Sequence, residues 1–296
     1  MTRAVRTCSA ALFALFASLP AAAQDFLQFR LELLGKGYTF TEGAAWSKDG
    51  YLVFSDTPTD RLLKWTPGRV LEVLRTNANG PRGNAFDAQG RLYTCETRLH
   101  RVTRTDKGGK LEVVADAWEG KRLNAPSHIA VTKSEHVYFT DPAFGGEADH
   151  RELDFYGVYH LPPKGALRLL AKSATRPNGI ALSPNGKTLY VSDSDERNIR
   201  AYDLDRNGEA SGERVLVAAV AGVPGGLAVD EKGNLYVAAK GVGIYSPEGR
   251  LIHTIGVAGF PSSCAFGEVD LKTLIVTSRG EVYRARQDAG PEADAH

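Results

Sequence analysis

IALSPNGKTLYVSD (180–193) reads as an apolar strand, a Pro-Asn-Gly turn and a second strand that ends on an acid. Apolar and polar residues alternate with period two, which marks a strand with one buried face rather than a helix. The pattern recurs in AAWSKDGYLVFSD (44–56), NAFDAQGRLYTCE (84–96), IAVTKSEHVYFTD (129–141), LAVDEKGNLYVAA (227–239) and CAFGEVDLKTLIVTS (264–278). Self-similarity at roughly 40–50 residues is the signature of a propeller or a solenoid.

Further strand-like pairs lie between the copies, at 61–75, 100–115, 157–171, 198–218 and 241–256, joined by turns such as Pro67-Gly68, Gly108-Gly109 and Glu248-Gly249. Each adds a third and fourth strand. After the last copy only 281–287 follows, so that unit lacks its outer strand, and FLQFRLELL (26–34) is placed to supply it. The expected fold is therefore all-β: a six-bladed β-propeller with four-stranded blades over residues 24–287, closed by the N-terminal strand. The longest insertion, 143–157, is expected to form a loop over one face, and 288–296 to be a disordered tail.

Residues 1–23 differ from the rest. Arg3 and Arg6 precede an apolar run from Ala10 to Leu19, followed by Pro20 and three alanines. This is the pattern of a secretory signal peptide, and the run is too short to span a bilayer. The expected location is periplasmic or secreted, with no membrane attachment after cleavage. The segment holds two arginines and no acid, so its loss takes 36 basic against 35 acidic residues to 34 against 35. A near-neutral chain with scattered charge gives no reason to expect nucleic acid as a partner, and nothing points beyond a monomer. Cys8 leaves with the leader. Cys95 and Cys264 fall at different positions of non-adjacent repeats and are expected to be buried free thiols.

In a propeller the first strand of every blade lines the central channel. Aligning the copies brings Glu42, Arg82, Ser127, Asn178, Gly225 and Ser262 to one position at a channel rim. The next position holds Gly43, Gly83, His128, Gly179, Gly226 and Ser263, where the glycines imply close backbone packing. The second strand returns to that rim and ends on Asp56, Glu96, Asp141, Asp193, Ala239 and Ser278. Acids after a strand commonly cap turns. Glu42 is different, because a carboxylate inside a channel needs a cation or a hydrogen-bonding partner. Arg82 is one candidate partner. A divalent ion held by Glu42 and the Asn178 amide oxygen is another, and such hard donors suit Ca²⁺ or Mg²⁺. His128 as a third ligand shifts the preference toward Zn²⁺ or Mn²⁺.

At these residues the chain resembles the family of gluconolactonase, senescence marker protein and luciferin-regenerating enzyme. The matching stretches include TEGAAW (41–46), EGKRLNAPSHIAV (119–131), VYFTDPAFG (137–145), RPNGIALSPNGKTLYVSDS (176–194) and PGGLAVDEKGNLYVA (224–238). The resemblance implies a six-bladed propeller with a divalent metal, calcium by preference, in its channel, and hydrolysis of lactones or related esters. The family's metal-binding glutamate falls on Glu42 and its asparagine on Asn178. The usual Asn-Asp pair is Ser127-His128 here, the expected aspartate of a PDG motif is Gly225, and Arg82 stands where a polar amide is typical.

The leading expectation is a metal-assisted hydrolase of a small lactone or ester. Glu42, Asn178 and His128 are the candidate metal ligands, His128 and Asp193 the candidate bases, and Arg82 the oxyanion partner. Arg82, Ser127 and Asn124 are the candidate substrate-binding residues. A metal-free variant uses His128 and Arg82 with Ser127 as nucleophile, but neighbours on a strand point to opposite faces, which disfavours a Ser127–His128 pair. The alternative outside enzymology is a propeller that has lost catalysis and binds a small ligand or a protein through its channel mouth.

Overall fold

The computed structural model describes residues 29–173, 175–268 and 271–287. The leader over 1–23, the tail over 288–296 and the beginning of the proposed closing strand lie outside these described residues. Within them the chain forms six four-stranded antiparallel sheets, the blades of a six-bladed propeller. The inner strands are Thr41–Ser47, Pro81–Phe86, Ile129–Val131, Pro177–Leu182, Leu227–Val229 and Pro261–Gly267. The second strands are Tyr51–Asp56, Leu92–Glu96, Val137–Asp141, Thr188–Asp193, Leu235–Ala239 and Thr273–Ser278, matching the repeated motif.

Local chemistry fixes the turns. The side chains of Asp87, Asp205 and Asp230 each accept backbone amides two and four residues further on, at 2.8–3.0 Å. An aspartate that bonds its own turn in this way pins the hairpin and thereby the strand register. The alternation buries one face of each blade against the next. Tyr93, Cys95 and Val102 of blade two pack on Ile129, Phe139 and Tyr159 of blade three, and Ile199 and Val217 of blade four pack on Leu235 and Val237 of blade five.

Closure follows the expected plan. Phe29–Lys36 is the outer strand of blade six and runs antiparallel to Glu281–Gln287, with Phe29 opposite Gln287. Two features go beyond the repeat: a short hairpin of Ala117–Trp118 with Lys121–Arg122, and a 3-10 turn over Gly145–His150 within the long insertion. Cys95 and Cys264 are buried free thiols, and burial pushes Cys264 up to about 12. No helix among the described residues is long and apolar enough to cross a membrane.

Candidate active site at the channel mouth

The inner strands do not begin as regular ladders. Their register to the second strand breaks between Glu42 and Ala45, Pro81 and Asn84, Pro177 and Ile180, and Pro261 and Ser263. Such a break lets two successive residues face the same side. Neighbouring blades also approach closely here. A Cβ on Gly43, whose φ is +62°, would lie 2.0 Å from the Arg82 carbonyl, and one on Gly179 would lie 2.0 Å from that of Gly225. His128 takes the place of these glycines in blade three.

Four aligned residues and His128 form one connected group. The Asn178 side-chain nitrogen donates to Ser194 Oγ at 3.1 Å and to the Pro224 carbonyl at 3.4 Å, which orients the amide. Its oxygen accepts from Ser127 Oγ at 3.0 Å and from His128 Nδ1 at 3.1 Å. Because Nδ1 must carry a hydrogen to donate, the neutral ring keeps its lone pair on Nε2. That nitrogen is buried and has no partner among the described residues. Burial lowers the His128 pKa below the ordinary histidine value; Glu42 opposes this effect and Arg82 adds to it. The Arg82 Nη1 atom stands 3.6 Å from Glu42 Oε2 and 3.4 Å from Ser127 Oγ. Glu42 is 4 % exposed, and its Oε2 accepts no hydrogen bond.

Three expectations need correction. Ser127 and His128 do not point to opposite faces, since the regular strand begins only at Ile129; their Oγ and Nδ1 lie 3.3 Å apart. The Ser127 hydroxyl nevertheless donates to Asn178, so it braces the amide and does not stand as a nucleophile. Asp193 does not join the group: its carboxylate accepts the backbone amides of Asp195 and Glu196 and the Thr175 hydroxyl, the role of a turn cap rather than a base. Asn124 is 1 % exposed and does not bond to the group: its amide nitrogen donates to the carbonyls of Asp141 and Phe155, and its buried side-chain oxygen has no partner among the described residues. Asp141 in turn accepts the backbone amides of Asn124 and Ala125, and burial raises its pKa to about 7 against the pull of those two bonds. It anchors the loop that delivers Ser127 and His128.

Two contributions escaped the alignment. Ser55, Thr140 and Ser192 each donate a hydroxyl to the mouth residue of the next blade, reaching the carbonyls of Arg82, Asn178 and Gly225 at 2.6, 2.5 and 2.8 Å. The signal was present in the repeats, as the hydroxyl residue that precedes the terminal aspartate in three of them. The second contribution is Phe144. Its ring lies 5.0 Å from the Arg82 guanidinium carbon and 4.9 Å from that of Arg176, so the blade-three insertion reaches the mouth.

The divalent cation implied by the resemblance does not fit these residues. Calcium takes six to eight oxygen donors, charged ones foremost. The one carboxylate in the group faces a guanidinium, the Asn178 oxygen already accepts two hydrogen bonds, and the Ser127 hydrogen is directed at that same oxygen. Blade five offers only Gly225. Among the described residues no three His, Cys, Asp or Glu side chains gather as a metal site.

Fold and side chains together define a six-bladed propeller with a connected cluster of buried polar groups where its inner strands begin. The chain belongs to the SMP-30/Gluconolactonase/LRE-like family, whose profile matches residues 40–280. It is 33 % identical to a gluconolactonase of Zymomonas mobilis, over 86 % of this chain and 81 % of that one. The solved structure of a gluconolactonase from Xanthomonas campestris superposes with a TM-score of 0.83 at 33 % identity, covering 90 % of this chain and 93 % of the other. Regucalcin from Agrobacterium tumefaciens, a calcium-binding protein, shares the fold with a TM-score of 0.73 at 20 % identity, over 86 % and 93 % of the two chains.

Proposed function

We propose that this chain hydrolyses a small lactone or ester at the channel mouth, with His128 as general base and Arg82 facing the developing negative charge. The observation that carries this is the His128 ring, which Asn178 holds in one tautomer with a buried, unpartnered Nε2. The gluconolactonases among its relatives support a lactone as substrate. Nε2 takes a proton from water as the water oxygen bonds to the carbonyl carbon, and the carbonyl oxygen becomes an oxyanion beside Arg82. The ring C–O bond then breaks, the oxyanion collapses to a carboxyl group, and His128 returns its proton to the departing alkoxide. Asn178 and Ser127 position the base and touch no reacting atom. Each chain carries the full set of groups, so a monomer suffices.

Export to the periplasm or beyond belongs to the same reading and is supported by the leader pattern of residues 1–23. Mature protein that begins at Gln24 is the expected product of the exporting cell, and N-terminal sequencing reads it.

The test of the chemistry is a panel of five- and six-membered sugar lactones and simple esters. H128N is expected to lower kcat about 10²–10⁴-fold on the best substrate, the usual contribution of a general base. Unchanged turnover removes His128 from the mechanism. A wild-type protein that binds panel members without hydrolysing them favours the non-catalytic binding propeller.

A further inference from the structure

The mismatch between the channel and a metal cage has a positive counterpart. Of the six aligned rim positions, blade two presents the one permanent cation, Arg82, and blade one the one carboxylate, Glu42, 3.6 Å away. The Arg82 guanidinium has five N–H donors. Its one side-chain hydrogen bond among the described residues is the 3.4 Å contact to Ser127, and the side chain is 21 % exposed at the mouth. Its carbonyl is fixed by Ser55, and its guanidinium rests on the Phe144 ring. A cation held by backbone and ring but left with unused donors is prepared for an incoming oxygen.

Blade five closes the other route. A Cβ on Gly225 would stand 2.4 Å from the Ser262 carbonyl oxygen, and one on Gly226 would stand 2.8 Å from Ser263 Oγ. No side chain, and hence no carboxylate ligand, enters there without moving blade six. In blade six the Ser262 hydroxyl donates to the Thr41 carbonyl. A dication placed in this mouth would meet one carboxylate and a fixed positive charge beside it.

We infer that the Arg82 guanidinium occupies the role of the divalent cation in this channel, polarising the substrate carbonyl and balancing Glu42, so that the protein works without a bound metal. The polarising role rests on the hydrolase reading given above; the absence of a tightly held metal does not.

The experiment uses the full mature chain. Elemental analysis after dialysis is expected to find well under one calcium, magnesium, manganese or zinc ion per chain, and millimolar additions of each are expected to leave the melting temperature unchanged, whereas a bound ion would raise it. With the best lactone, chelator treatment is expected to leave kcat/KM within about twofold, while R82A loses about 10²–10³-fold, the scale of an oxyanion donor. Guanidinium or methylguanidinium in solution is expected to restore at least about tenfold of that loss, and divalent cations none of it. Rescue by the free cation separates a chemical role from a merely structural one. One retained divalent ion per chain, or a chelator loss reversed by that ion, overturns the inference. If R82A fails to fold, or if no lactone is turned over, metal content and melting shift of the wild type still decide whether a metal is held.

Discussion

His128 has two ring nitrogens with opposite fates, and its chemistry follows from that division. Nδ1 is committed to Asn178, while Nε2 is buried with no partner among the described residues. Because burial depresses its pKa, the ring stays neutral at a pH where an ordinary histidine is half protonated. The acid limb of kcat/KM is therefore expected below pH 6.5, not at it. Glu42 raises this pKa and Arg82 lowers it. E42Q should thus move the limb to still lower pH, and R82Q should move what activity remains toward higher pH; a pH–rate profile of each variant reads the shift. The same depression makes the unfolded chain take up the proton first, so His128 withdraws stability as pH falls through 6.5. Glu42, Arg82, Ser127, Asn178 and His128 were all legible as rim residues from the alignment. Their bonding was not, because strict alternation sends Ser127 and His128 apart, and only the late start of the strand at Ile129 brings them together.

At the scale of the strand, the hydroxyl that precedes each of the three terminal aspartates ties one blade to the next. Ser55 is fully buried and bonds the Arg82 carbonyl at 2.6 Å. S55A leaves that carbonyl one donor fewer, the Asn84 side-chain amide remaining at 3.0 Å. The expected cost is about 1 kcal/mol in unfolding free energy, with a fall in kcat larger than any change in KM. Denaturant unfolding and steady-state kinetics on one preparation check both. The terminal acids are structural in three ways: Asp193 caps its own turn, Asp56 and Asp141 accept amides of the loop that leads into their inner strand, and Glu96 pairs with Arg75 and Arg101. A single-sequence reading cannot separate such a cap from a catalytic acid, since both are buried carboxylates at a rim. Asp193 therefore reads as a candidate base in the sequence, and only its three bonded partners identify it as a cap.

At the scale of the whole ring, repeat spacing foretold six blades and the strand that shuts them. Removing residues 29–36 takes away the outer strand of blade six, together with the packing of Phe29 and Leu31 on that blade and of Leu34 on its neighbour. The expected loss is at least about 3 kcal/mol of stability, from two or three partly buried apolar side chains. It should appear as a lower melting temperature for the truncated chain.

Closure also sets a timetable. Glu42 follows Thr41, whose amide donates to the Arg279 carbonyl, whose hydroxyl donates to the Glu281 carbonyl, and whose own carbonyl accepts from Ser262. The first channel residue to leave the ribosome is thus held in place by some of the last residues synthesised. No nascent or prematurely ended chain can assemble the mouth, so the proposed site takes shape only once the ring can shut.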